Sequence, residues 1–99
     1  MHPSKVDRDK LFRLEDLPNV GKATAEDLCR IGIHAAGDLR GRDPFELYEA
    51  LGRVRGRQQD PCVLDMFMAL TSFMDGGPAL PWWSFTAERK RRMQARSGR

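Results

Sequence analysis

Apolar residues recur at three- and four-residue spacing through most of the chain, and no run alternates apolar with polar side chains as a half-buried strand would. The pattern predicts an all-α fold. Leu11, Leu14 and Leu17, with Phe12 beside them, predict a short first helix that ends before Pro18. A second should run from about Lys22 to Ile31, with Ala25, Leu28 and Cys29 or Ile31 facing inward and Gly32 as its stop. A short helix is expected around Ala36 to Arg40. Asp43-Pro44-Phe45-Glu46 is an N-cap acid, a first-turn proline and a capping-box partner, and it opens a helix with Leu47, Leu51 and Val54 on its inner stripe. Arg53, Arg55 and Arg57 fall at its end, where the helix dipole and water both suit them.

Asp60-Pro61 repeats the cap-plus-proline signature and begins a stretch through Met74 that is apolar on nearly every side, which predicts a central buried helix. Asp75-Gly76-Gly77-Pro78 ends it. Leu80-Pro81-Trp82-Trp83-Ser84-Phe85 reads as an irregular lid across the core, and Thr86-Ala87-Glu88 as the cap of a last, basic helix. The organisation expected is a helical domain over residues 1–85 and a basic helix or tail over 86–99.

Length and composition permit one compact domain with one core, since 99 residues with 40% apolar content leave no room for a separate catalytic domain. Cys29 and Cys62 are too few for a disulfide framework, and no Cys or His spacing fits a zinc site. Both are expected as reduced thiols, Cys62 as a small buried hydrophobe rather than a reactive thiol. No stretch has the length of a signal peptide's apolar segment or a membrane span, so a cytoplasmic protein without membrane contact is expected. The net charge of +3 hides an asymmetry. From Thr86 onward Arg89, Lys90, Arg91, Arg92, Arg96 and Arg99 face the single acid Glu88, while the rest of the chain holds a slight excess of acid.

One segment carries candidate chemistry. Leu14-x-x-Leu17-Pro18-x-Val20-Gly21-x-x-x-Ala25-x-x-Leu28 has the helix-hairpin-helix pattern, in which proline ends the first helix, Val20 plugs the gap, Gly21 allows close backbone approach and Ala25 lets the helices pack. The amides at the start of the second helix, at Gly21, Lys22 and Ala23, are then free to hold an anion, with Lys22 adding charge and Thr24 a hydroxyl. The candidate nucleic-acid-binding residues are Asn19, Val20, Gly21, Lys22, Ala23 and Thr24, with Arg89, Lys90, Arg91 and Arg92 as a secondary basic set. Contacts of this kind position DNA through its phosphates without reading bases. Asn19 stands where the usual hairpin has glycine, and it is the side chain best able to take the left-handed backbone needed there. A single copy of the motif points to weak binding, to a homodimer or protein partner, or to help from the basic tail.

The residues Leu14 to Ala25, Gly32-Ile33, Asp38-Leu39, Asp43-Pro44, Leu47-Tyr48, Asp60 to Asp65, Phe67 and Pro81-Trp82-Trp83 make the chain resemble, over nearly its full length, the bacterial pathogenicity-locus (Cdd1-type) helix-hairpin-helix proteins, some labelled mitomycin-resistance proteins. The resemblance implies a bacterial protein with a DNA-related role, in repair, stress or uptake, and no established reaction. It implies no cofactor beyond a monovalent cation that hairpin carbonyls hold in other users of the motif. A DNA glycosylase is disfavoured, because Lys22 follows the hairpin glycine one position too early, Asp38 and Asp43 lack the matching context, and one small domain offers no pocket for an extruded base. The alternative expectation is a protein-interaction adaptor in which the hairpin is purely structural.

Overall fold

The computed structural model describes residues 1–97, with side chains through Arg96; Gly98 and Arg99, the end of the predicted basic tail, lie outside the described residues. Among the described residues every regular element is helical: α1 (Lys22–Arg30), α2 (Pro44–Arg55), α3 (Pro61–Met74) and α4 (Thr86–Ser97), joined by 3-10 turns at Pro3–Lys5, Leu14–Asp16, Ala36–Leu39 and Trp82–Phe85. The all-α class read from the periodicity is the observed one.

The two proline-opened helices start where their caps require. Asp43 accepts from the Phe45 amide at 2.9 Å and Asp60 from the Cys62 amide at 3.0 Å, each satisfying a first-turn donor that has no partner inside the helix. The bond from the Cys62 amide, with a second from the Cys62 thiol, holds the Asp60 carboxyl below its ordinary range. α3 is the central helix. It buries Leu64, Phe67, Met68, Leu70, Phe73 and Met74, and α2 supplies Phe45, Leu47, Tyr48 and Leu51 against it. Val54 departs from the predicted stripe and is exposed, because α2 ends one residue later and its last turn faces solvent.

The first predicted helix is a correction. Leu14 and Leu17 are buried as their spacing requires, yet only one 3-10 turn forms, at Leu14–Asp16. Two local effects stop it. Asp16 folds back to accept from the Phe12 and Arg13 amides at 3.0 and 2.9 Å, and Pro18 holds Leu17 extended, at ψ 152°. The turn at Ala36–Leu39 repeats the device, with Asp38 accepting from His34 and Ala35 at 3.0 Å each, and these two bonds hold the Asp38 carboxyl below its usual range.

α1 packs through Ala25 and Leu28, with Ile31 half-buried just beyond its end and Cys29 exposed. Gly32, at φ +86°, stops it as expected, and the Ile33 amide returns to the Leu28 carbonyl at 2.9 Å. The C-terminus of α3 is closed from the far end of the chain. The Arg8 guanidinium donates to the carbonyls of Phe73 at 2.7 Å and Gly77 at 2.6 Å and lies 4.0 Å over the Phe73 ring.

The expected lid is present as a backbone: the Trp82–Phe85 turn lies on α3 with Phe85 half-buried. Its tryptophans do not cover the core. Trp82 is 36% and Trp83 62% exposed. α4 also packs on α3, through one buried ion pair. Asp65, in the second turn of α3 and 0% exposed, accepts from Thr86 Oγ1 and from Arg89 Nε, both at 2.7 Å.

Candidate nucleic-acid interface

The loop Leu17-Pro18-Asn19-Val20-Gly21 leads straight into α1. Leu17 and Val20 are buried and anchor it, while Asn19 takes the left-handed conformation at φ +68°. That position suits asparagine or glycine, since other side chains crowd their own carbonyl there. Two backbone bonds brace the loop: the Asn19 amide donates to the Met1 carbonyl at 2.8 Å, and the Met1 amine to the Val20 carbonyl at 2.6 Å. The Asn19 side chain bonds to the segment ahead of α4. Its Nδ2 donates to the Leu80 carbonyl at 2.9 Å, and its Oδ1 accepts from the Trp82 amide at 3.2 Å, which ties the loop to the tryptophan turn.

At the start of α1, the amides of Gly21, Lys22, Ala23 and Thr24 have no acceptor among the described residues, and no side chain caps the helix. Four donors and the positive end of the helix dipole therefore face outward together. Gly21, Lys22 and Ala23 are exposed and Thr24 is half-exposed, so solvent reaches the whole row. Gly21 has an ordinary extended backbone, at φ −103°, and a Cβ built on it meets nothing within 4 Å. Neither conformation nor internal packing calls for glycine here; what its absent side chain leaves open is the approach to the amides.

The secondary basic residues divide. Arg89 is held inside the fold by Asp65, with only 14% of its side chain exposed, and that bond raises its already high pKa. Arg92 stands 4.8 Å over the Phe45 ring and 3.9 Å from Glu88. Lys90 and Arg91 are exposed and have no ion-pair partner among the described residues. Arg96 pairs with Glu49 at 3.2 Å and covers Phe45 at 4.2 Å, beside a cleft of about 610 Å³ floored by Phe45, Tyr48, Leu64 and Met93. Arg55, read from sequence as a solvated helix end, donates to Gln59 at 2.9 Å and pairs with Asp27, joining the end of α2 to α1.

Asp65 and Arg8 escaped the sequence reading as organising residues. The sequence signal for Asp65 was an acid in a helix otherwise too apolar to leave it in water. No group of three His, Cys, Asp or Glu side chains among the described residues stands together as a metal site. No described helix is long and apolar enough to cross a membrane. Both cysteines are free and exposed, so the expected burial of Cys62 is corrected. Its helix N-terminal position does not activate it either. A hydrogen bond to the Asp60 carboxylate, with partial burial, pushes the thiol pKa up. In a pH series of iodoacetamide labelling, Cys62 is expected to become reactive only at higher pH than an ordinary cysteine thiol. Asp60→Asn, which keeps a cap acceptor but removes the charge, is expected to move that pH down; an unchanged profile would remove Asp60 as the cause.

A family model described as "Pathogenicity locus" matches residues 7–91. The chain belongs to the pathogenicity-locus family. Among curated proteins, the mitomycin resistance protein McrB of Streptomyces lavendulae is 47% identical over 78 residues, covering 79% of this chain and 74% of that protein. DNA polymerase IV of Actinobacillus pleuropneumoniae serotype 5b is 38% identical over 40 residues, which is 40% of this chain and 11% of the polymerase. No solved structure matches the chain. The amide row, the Asn19 clasp and the tryptophan turn all fall within the stretch that defines this family.

Proposed function

We propose that this pathogenicity-locus protein is a non-sequence-specific DNA-binding module in which the amides at the start of α1 hold a backbone phosphate. The observation that carries the reading is the conjunction at Gly21: free amides, an outward dipole, and a glycine whose missing side chain serves nothing inside the fold. Lys22 supplies a charge and Thr24 a hydroxyl beside them. Lys90 and Arg91 on α4 extend the electrostatic reach. The short similarity to part of a protein named DNA polymerase IV agrees with this reading. The role is to position DNA, not to transform it.

Fluorescence anisotropy of labelled duplex DNA across a salt series tests it. Saturable binding that weakens with salt is expected, and Lys22→Gln should reduce the logarithmic salt slope by about 1 with helicity unchanged. Binding that ignores Lys22 but disappears with Lys90→Gln and Arg91→Gln, two exposed side chains without ion-pair partners among the described residues, would reduce the loop to scaffold. Absence of binding at low salt would overturn the proposal in favour of a protein-interaction adaptor.

A further inference from the structure

Two adjacent tryptophans stand out of a turn whose third aromatic, Phe85, packs inward. Exposing two indoles forfeits burial that the same turn gives its neighbour, and large aromatics left in water in a contiguous patch mark contact surfaces. The pair is held in place. Its rings meet edge to face at 5.7 Å and 85°, and the backbone behind it is clasped by both polar atoms of the Asn19 side chain. That clasp sets the tryptophans against the loop that opens α1. Between them runs a groove of about 330 Å³, lined by Met1, Asn19, Gly21, Trp82 and Trp83 among others. No carboxylate lines it. Glu15 and Asp16, whose charge is felt at the Met1 amine, lie outside the lining.

We propose that the Trp82–Trp83 pair extends the phosphate-holding loop into a site for an unpaired nucleotide of single-stranded DNA, with the base stacked on Trp83 and its strand running through the Gly21 groove. This rests on the reading of the loop as a phosphate holder and adds the class of DNA preferred. A paired base keeps its faces inside the stack, so an indole can take a base only where the strand is open. The complementarity has two parts: an aromatic face for the base, and beside it a groove free of negative lining that leads to unpartnered N–H donors and Lys22. A flat π-face accepts any base, so the site selects strandedness rather than sequence.

The test compares a thymidine oligonucleotide with a duplex of equal length, reading both anisotropy and intrinsic tryptophan fluorescence, for the native chain, Trp83→Ala and Trp83→Phe. Because the Trp83 side chain is mostly in solvent, neither substitution should unfold the protein, and circular dichroism checks this. Expected are tighter binding of the single strand, quenched fluorescence, a loss of about 5- to 150-fold in single-strand affinity for Trp83→Ala, and most of it retained in Trp83→Phe. Duplex binding should be unchanged in both variants. Equal binding of both DNAs with no quenching and no effect of Trp83→Ala would overturn the inference while leaving the phosphate reading standing. No binding of either DNA would overturn both. A dimer in sedimentation that Trp83→Ala dissociates would assign the patch to a second copy of the chain instead.

Discussion

Replacing Asp65 with alanine is expected to destabilise the fold by about 3–5 kcal/mol, the range seen when one partner of a buried ion pair is removed. The carboxylate is fully buried and is the acceptor for both Thr86 and Arg89, so its loss leaves a mostly buried guanidinium and a hydroxyl with nothing to bind. These two bonds fasten the first turn of α4 to α3, so α4 should lose order first. Chemical denaturation measures the free energy. The thermal midpoint should fall on the order of 15 °C or more for a domain of this size. Asp65→Asn should recover only part of the loss, since its amide oxygen can accept from Arg89 and its NH2 can donate to the Thr86 hydroxyl, but the charge opposite the guanidinium is gone. A double replacement, Asp65→Leu with Arg89→Met, should be far milder than Asp65→Ala, because it removes both charges together. A double variant as damaged as the single one would show that packing, not the unpaired charge, sets the cost.

Gly21→Asp is expected to separate stability from binding in opposite directions. Gly21 occupies the N-cap of α1 with extended backbone and open space around its Cβ, so an aspartate fits without strain. Its carboxylate would accept from the amides of Ala23 or Thr24 and face the positive end of the dipole, contributing a few tenths to about 1 kcal/mol. The same carboxylate would occupy the donors assigned to a phosphate and repel the strand. DNA affinity is therefore expected to fall by about ten-fold or more while the melting temperature holds or rises. Gly21→Ala, carrying bulk without charge, should fall between. A variant that is stabilised yet binds DNA as well as the native chain would exclude the amide row as the phosphate site.

What could be read from the sequence was local. The caps at Asp43 and Asp60 and the stop at Gly32 act over two to five residues, so their signals survive in one dimension. The left-handed backbone at Asn19 was legible for the same reason. Arg89 could not be separated from Lys90 and Arg91 by composition, because its partner Asp65 stands 24 residues away in another helix. The exposed tryptophans were misplaced because flanking prolines and an apolar neighbour suggested a cover. The turn is oriented by contacts distant in sequence, the packing of Phe85 on the core and the meeting of Asn19 with Leu80 and Trp82 across more than sixty residues. The first helix failed because two short-range effects, the Asp16 back-bonds and Pro18, outweighed three well-spaced leucines.

The clasp formed by Arg8 and Asn19 has a kinetic consequence. Arg8 bonds to Phe73 and Gly77 across 65 and 69 residues, and Asn19 to Leu80 and Trp82 across 61 and 63. Closing loops of that length before α2 and α3 have docked costs chain entropy that nothing yet repays. These contacts are therefore expected to form late in folding, and weakening them should accelerate unfolding while leaving the folding rate nearly unchanged, as stopped-flow chevrons of Arg8→Ala would show. In hydrogen exchange, the segment ahead of α1 should open as a unit at lower free energy than α3. Each such opening would release the tryptophan turn from the loop, so the assembled groove exists only as long as the two distant stretches of chain stay joined.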